Sequence, residues 1–286
     1  MNLKTFYRIY YRHRVEKASY ILKFYLFLII PFVYFLNCFF LKRTINLDSY
    51  SKKNYSLFEK NLDFLFEFFN SDKGEYYIDQ YVQPIKRKNI KIKSHGYSKF
   101  YEKYFFELKN KNINILEIGS FYGNASAALF FYFRNANIYS ADINPDMFKY
   151  FSQRIKFFFT DSSKRSSIEK NILNRKVNFD IIIEDASHML KDQIISLFML
   201  FKILNPGGYF IVEELDFPET KENMRINQSP PDLKTILKKI LKKQDFFSKY
   251  IDQKEKEYFL KNFEFIKFYK GNINEFAIIK KTTKSR

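Results

Sequence analysis

"FDIIIEDASHMLKDQIISLFMLFKILNPGGYFIVEEL", Phe179–Leu215, decides how this chain is read. The isoleucines at its start fit a strand buried on both faces, because a parallel strand covered on two sides carries an unbroken apolar run. A helical stretch, Met189–Ile203, follows, and "GGYFIVEEL" then supplies a second strand. Strand, helix, strand implies a parallel pair joined by a right-handed crossover. Both strands would then end at one sheet edge, bringing Glu184, Asp185, Glu213 and Glu214 together with His188, one of three histidines in the chain.

The alternation continues outward from this unit. Upstream, "INILEIGS", "ANIYSADI" and "IKFFFT" read as strands, separated by helices at Asn124–Phe133 and Pro145–Arg154 and followed by another at Ser163–Leu173. Downstream, a helical region Leu233–Asn262 precedes "FEFIKFYKG" and "EFAIIKK", which a short Asn/Gly-containing turn joins as an antiparallel hairpin. The expected fold is α/β, a doubly wound, mostly parallel, seven-stranded sheet.

In such a sheet ligands bind beyond the carboxyl ends of the strands. The first strand ends in "LEIGSFYGNAS", where Gly119 and Gly123 permit a tight turn and close approach of a ligand to backbone. The spacing is E-x-G-x-x-x-G, not the dinucleotide G-x-G-x-x-G, and the P-loop lysine is missing. Glu117 suits an ammonium better than a phosphate. Asp142 ends the second strand, placed to accept from ribose hydroxyls, and Asp161 ends the third, near an adenine edge. Loop glycines and acids at exposed strand ends account for any one of these, but poorly for three successive strand ends.

On these residues the chain resembles the class I S-adenosylmethionine-dependent methyltransferases, whose fold is Rossmann-like. Glu117, Gly119 and Gly123 fit their first motif, and Asp142 their ribose-binding acid. The opening stretch narrows the resemblance to the metal-dependent sugar O-methyltransferases of antibiotic pathways, the macrolide and tetracenomycin rhamnose enzymes. Their pattern runs near F-D-x-I-x-D-D-x-S-H…G-G-x-x-x-x-E-D-L. Upstream, "SDKG" from Ser71 and "HGYSKFYEKYF" from His95 are similar to their T-D-K-G and H-x-Y…Y elements.

The resemblance implies S-adenosylmethionine and Mg²⁺ as cofactors, Asp185, Glu213 and Glu214 as metal ligands, and His188 as general base. Glu214 departs from the family's usual Asp, and a longer arm alters how that ligand reaches. Glu184 also replaces the commoner Asp, and is left as supporting. The chemistry is coherent, since Mg²⁺ takes oxygen ligands and an unperturbed histidine titrates at about 6.5. Ser187 as a helix cap, with His188 merely beside it, is the structural alternative. His95 and Tyr97 either close over the site or pack on the sheet edge.

With 286 residues, 46% hydrophobic and 20% aromatic, the chain has enough apolar surface for a core. A net charge of +18 invites nucleic acid, but the lysines are scattered and no RNA or DNA partner is expected. An RNA methyltransferase remains the alternative enzyme, although no N-P-P-Y-like loop follows the fourth strand. A non-catalytic, membrane-bound protein with this fold is the alternative from another class. The single Cys38 excludes an internal disulfide framework.

"FYLFLIIPFVYFLNCFFL", Phe24–Leu41, is apolar all round, with Arg8, Arg12, Arg14, Lys17 and Lys23 before it and Lys42 and Arg43 after it. It reads as a hydrophobic helical segment that meets a membrane surface or bilayer. Pro31 and the cations on both sides favour a bent insertion from one face over a span, and a soluble-core helix is the alternative. His13 lies among the arginines as a membrane-surface residue. The expected organisation is an anchor over 1–45, a helical linker and cap over 46–111, and a methyltransferase domain over 112–286. The protein would be membrane-associated, its catalytic domain cytoplasmic and its acceptor a sugar-containing molecule; the resemblance also implies homo-oligomers.

Overall fold

The computed structural model describes residues 19–40, 44–78 and 91–283. Seven strands form the central sheet: β1 Asn114–Ile118, β2 Asn137–Asp142, β3 Ile155–Phe159, β4 Phe179–Glu184, β5 Leu204–Val212, β6 Phe263–Lys270 and β7 Glu275–Lys281. Their order is β6-β7-β5-β4-β1-β2-β3. β1 to β5 pair in parallel, and β7 runs antiparallel to both β5 and β6. The strand order reverses between β1 and β4, the switch point where a crevice opens in sheets of this kind.

Residue alternation explains the isoleucine run. Ile181 and Ile183 enter the core on one face of the sheet and Ile182 the core on the other, while Phe179 joins the second core ahead of a register shift between Phe179 and Ile181. All four are fully buried. The first face is covered by the helix Asn124–Tyr132 together with Leu62–Phe68 and Ser98–Phe105. The second is covered by Leu190–Leu200, Leu233–Leu241 and Gln253–Asn262. At the end of β7, the buried Lys281 Nζ donates to the carbonyls of Leu204 at 2.6 Å and Phe201 at 3.2 Å.

Three expectations need correction. Residues 46–70, part of the stretch expected as a helical linker, are packed into the core. Asn46 caps the helix Leu47–Lys53, Asn61 caps Leu62–Phe68, and Leu47, Leu57, Leu62, Leu65 and Phe66 are buried in the first core. Pro145–Arg154 forms no helix. After a single turn, Pro145–Met147, Tyr150–Phe151 pairs in parallel with Ile45–Asn46, and the Asp48 carboxylate accepts from Ser152 Oγ and Gln153 N. The region Leu233–Asn262 is two helices, the second started by a capping box between Asp252 and Glu255.

The N-terminal apolar stretch lies in the helix Tyr20–Phe40, which contains Pro31. Among the described residues no helix is long and apolar enough to cross a membrane, so a bilayer span through 24–41 is not supported. Tyr25, Tyr34 and Asn37 dilute its aliphatic content. Phe24, Tyr25, Phe27, Leu28, Phe32 and Phe35 are exposed on it. His13, Leu41 and the flanking cations, Lys23 excepted, lie outside the described residues.

Candidate active site

A cleft of about 450 Å³ opens at the carboxyl ends of β1, β2, β4 and β5. Its first wall is the loop after β1. Gly119 and Gly123 hold φ of 94° and 79°, a region where an L side chain is strained. A Cβ on Gly119 would stand 1.8 Å from the carbonyl oxygen of Asp185, so the β1 loop and the end of β4 touch through backbone. A Cβ on Gly123 would meet the Phe148 ring at 2.5 Å.

Asp142 lines the same cleft, accepting from the amides of Phe121 at 2.9 Å and Asn144 at 2.7 Å. Glu117 is buried in it and accepts from Ser126 Oγ at 2.6 Å. Burial pushes the Glu117 carboxyl up, against the pull of Lys73. Asp161 is the cofactor candidate that the fold does not bring to the cleft wall. Its carboxylate accepts from Ser163 N and Oγ and pairs with Lys164 Nζ at 2.9 Å, closing its own turn.

The second wall carries the acids. Among the described residues, Asp185, His188 and Glu214 form a group whose ligand atoms all lie within 4.8 Å of one another. His188 Nε2 stands 3.8 Å from Asp185 Oδ1, and His188 Nδ1 stands 3.5 Å from Glu214 Oε2. Both Nδ1 of His188 and Oε2 of Glu214 are buried without a hydrogen-bond partner. The orphaned Glu214 oxygen beside the Asp185 carboxylate fits a hard divalent cation, and the unpartnered imidazole nitrogen next to it is free to take a proton. His188 and Glu214 also hold positive φ, 55° and 44°, conformations that non-glycine residues adopt at a cost. Gln193 Nε2, from the helix after β4, holds the second turn by donating to the carbonyls of Glu213 and Glu214.

Charge sets the protonation of the group. Burial drives the His188 imidazole below its ordinary value, with Asp185 opposing. Burial raises Asp185, but Lys73 and His188 outweigh it and hold the carboxyl below the usual range. Glu214 is pushed well up by burial and then by Asp185 and Glu213.

Glu213 points elsewhere. Its Oε2 accepts from Lys73 Nζ at 2.8 Å and its Oε1 from Tyr101 OH at 2.5 Å. Glu184 is fully buried, and neither of its oxygens has a hydrogen-bond partner. His95 and Tyr97 do reach the site: His95 Nε2 is 3.2 Å and Tyr97 OH 3.5 Å from Glu214 Oε1. Lys73 was not singled out from the residues themselves. The signal for it was the "SDKG" element, which named a resemblance and no role.

A model of the methyltransferase domain family matches residues 109–264. Among curated proteins, the chain is 29% identical over 128 residues to 8-demethyl-8-alpha-L-rhamnosyl tetracenomycin-C 2'-O-methyltransferase of Streptomyces olivaceus, covering 42% of this chain and 33% of that protein. It is 29% identical over 128 residues to demethylmacrocin O-methyltransferase of Streptomyces fradiae, covering 42% and 32%. The match thus spans about a third of the length of these relatives. Among solved structures, it resembles the MycE methyltransferase from the mycinamycin biosynthetic pathway in complex with Mg, SAH and mycinamycin VI. There the TM-score is 0.57 at 20% identity, over 78% of this chain and 54% of that one, a likeness of fold.

Proposed function

The chain belongs to the methyltransferase domain family, and on that premise we propose that it is an S-adenosylmethionine-dependent, Mg²⁺-dependent O-methyltransferase acting on a sugar hydroxyl. The observation that carries this is the meeting of two walls in one cleft. The glycine loop of β1 is of the kind that binds a methyl donor, and it touches the backbone of Asp185, which stands with His188 and Glu214. The curated relatives are named as O-methyltransferases, one of them of a rhamnosyl tetracenomycin, and the matched solved structure contains Mg and SAH, which supports the donor, the metal and the acceptor class. The acid cluster at that cleft favours catalysis over a non-catalytic scaffold.

In this reading Gly119, Gly123, Asp142 and Glu117 bind the donor. Asp185 and Glu214 would hold the cation; Glu213, the third expected ligand, is held by Lys73 and Tyr101. When bound, Mg²⁺ would orient neighbouring sugar hydroxyls and acidify one of them. His188, kept neutral near pH 7 by burial, accepts the proton that the hydroxyl loses. The new O–CH₃ bond forms as the S–CH₃ bond breaks, and the strained turns at His188 and Glu214 fix the groups before the acceptor arrives.

Residues 112–286 form the catalytic domain in this reading, with 46–111 as its cap. The exposed aromatics of Tyr20–Phe40 support attachment to a membrane from its cytoplasmic face. The test is methyl transfer from labelled S-adenosylmethionine to deoxysugar glycosides, with and without EDTA. Transfer that survives both EDTA and His188→Ala would overturn the mechanism.

A further inference from the structure

Lys73 is 1% exposed, and it reaches the site from outside the sheet. The loop that carries it is strapped to the segment beginning at His95: Tyr97 N donates to Lys73 O at 2.8 Å, Gly96 N to Gly74 O at 2.8 Å, and His95 N to Asp72 O at 3.0 Å. From this strap the ammonium reaches the cleft wall and meets acids at the ends of three adjacent strands. It donates to Asp185 Oδ2, just after β4, and to Glu213 Oε2 at 2.8 Å, just after β5. Glu117 Oε1, in β1, lies 4.0 Å away.

Three carboxylates thus converge on one fixed ammonium, with Glu214 grouped beside Asp185. Burial works against a charge on Lys73, and the carboxylates of Asp185, Glu213 and Glu117 around its ammonium offset that cost. An ion pair this deep contributes little net stability against an apolar replacement of both partners, but removing one partner strands the other and is strongly destabilising.

We propose that Lys73 is the resident counter-ion and positioning residue of the acid cluster: it pins Asp185 and Glu213, so that the face made by Asp185, His188 and Glu214 stands assembled with or without a divalent cation. The proposal rests on the metal reading of that face. Glu213, with both oxygens committed to Lys73 and Tyr101, is then a second positioning group behind the cation.

The test is thermal unfolding of the full chain in EDTA and in Mg²⁺. Lys73→Met should lower the unfolding temperature in EDTA by about 10 °C. Adding Glu213→Gln to it should restore part of that loss, because the neutral amide removes the stranded charge. Mg²⁺ should raise Lys73→Met more than it raises wild type, since the dication takes over the missing positive charge. A double variant less stable than Lys73→Met overturns the proposal. So does a Mg²⁺ response equal to that of a wild type that binds the metal. If Lys73→Met fails to fold, a folded double variant supports the proposal and an unfolded one overturns it. Calorimetric titration of wild type with Mn²⁺ separates the two ideas: no binding defeats the metal reading, while the mutant cycle in EDTA still decides the role of Lys73.

Discussion

Glu184 and Asp185 are chain neighbours with opposite fates. Asp185 turns to the cleft, paired with Lys73. Glu184 is fully buried, and burial, then Asp185 and Asp192, pushes its carboxyl up to about 8. That folded value lies above the unfolded one near 4.5, so stability present at low pH is lost as pH rises towards and through about 8. Glu184→Gln should therefore be more stable than wild type in thermal unfolding at pH 9, by on the order of a few kcal/mol, with the gap closing below pH 5. His188 makes the opposite case. Its lowered value puts the acid limb of the methyl-transfer rate below about pH 6.5. His188→Ala should reduce turnover on the order of 10²–10⁴-fold and leave S-adenosylmethionine affinity in calorimetry unchanged. His188 was legible in sequence because it sits three residues from Asp185. Lys73 was not, because its partners lie 112 and 140 residues away and no periodicity spans that distance.

The loop after β1 is legible as an element, since its two glycines are spaced for a turn. Sequence cannot say that the end of β4 is what presses on it. Gly119→Ala would drive a methyl group into the Asp185 carbonyl and force a left-handed φ on alanine. It should abolish measurable donor binding by calorimetry or prevent soluble expression, whereas Gly207→Ala, whose Cβ would lie 3.2 Å from Thr283 Cγ2 at its own strained φ, should fold and bind. The sheet strands follow from local pattern, β4 most plainly. Tyr150–Phe151 does not, because its strand exists only through pairing with Ile45–Asn46, far away in the chain. For the same reason residues 47–69 read as a linker until their leucines met the helix Asn124–Tyr132.

For the whole molecule, the N-terminal helix stands apart from the two cores: among its residues whose burial is described only Ile30 is buried, and none of these joins either hydrophobic cluster. Removing residues 1–43 should leave a monodisperse protein that still binds S-adenosylmethionine, read by size-exclusion chromatography and calorimetry. Recovery as aggregate only would mean that the helix contributes to folding. EDTA should abolish transfer in both forms, and Mg²⁺ should restore it.

β7 comes later in the chain than any other strand of the sheet, yet it lies inside, between β5 and β6. It also secures the turn that carries Glu214: Leu215 N, next to Glu214, donates to Glu275 O at 2.8 Å. Vectorial synthesis on a ribosome therefore yields β1 to β6 before the strand that joins β5 to β6 is available. A nascent chain arrested near Gly271 would present β5 as a bare hydrogen-bonding edge, open to strand exchange with another chain. The turn that carries Glu214 lacks its Glu275 partner until β7 has been made, so a product ending before β7 would carry every residue of the acid cluster without that support.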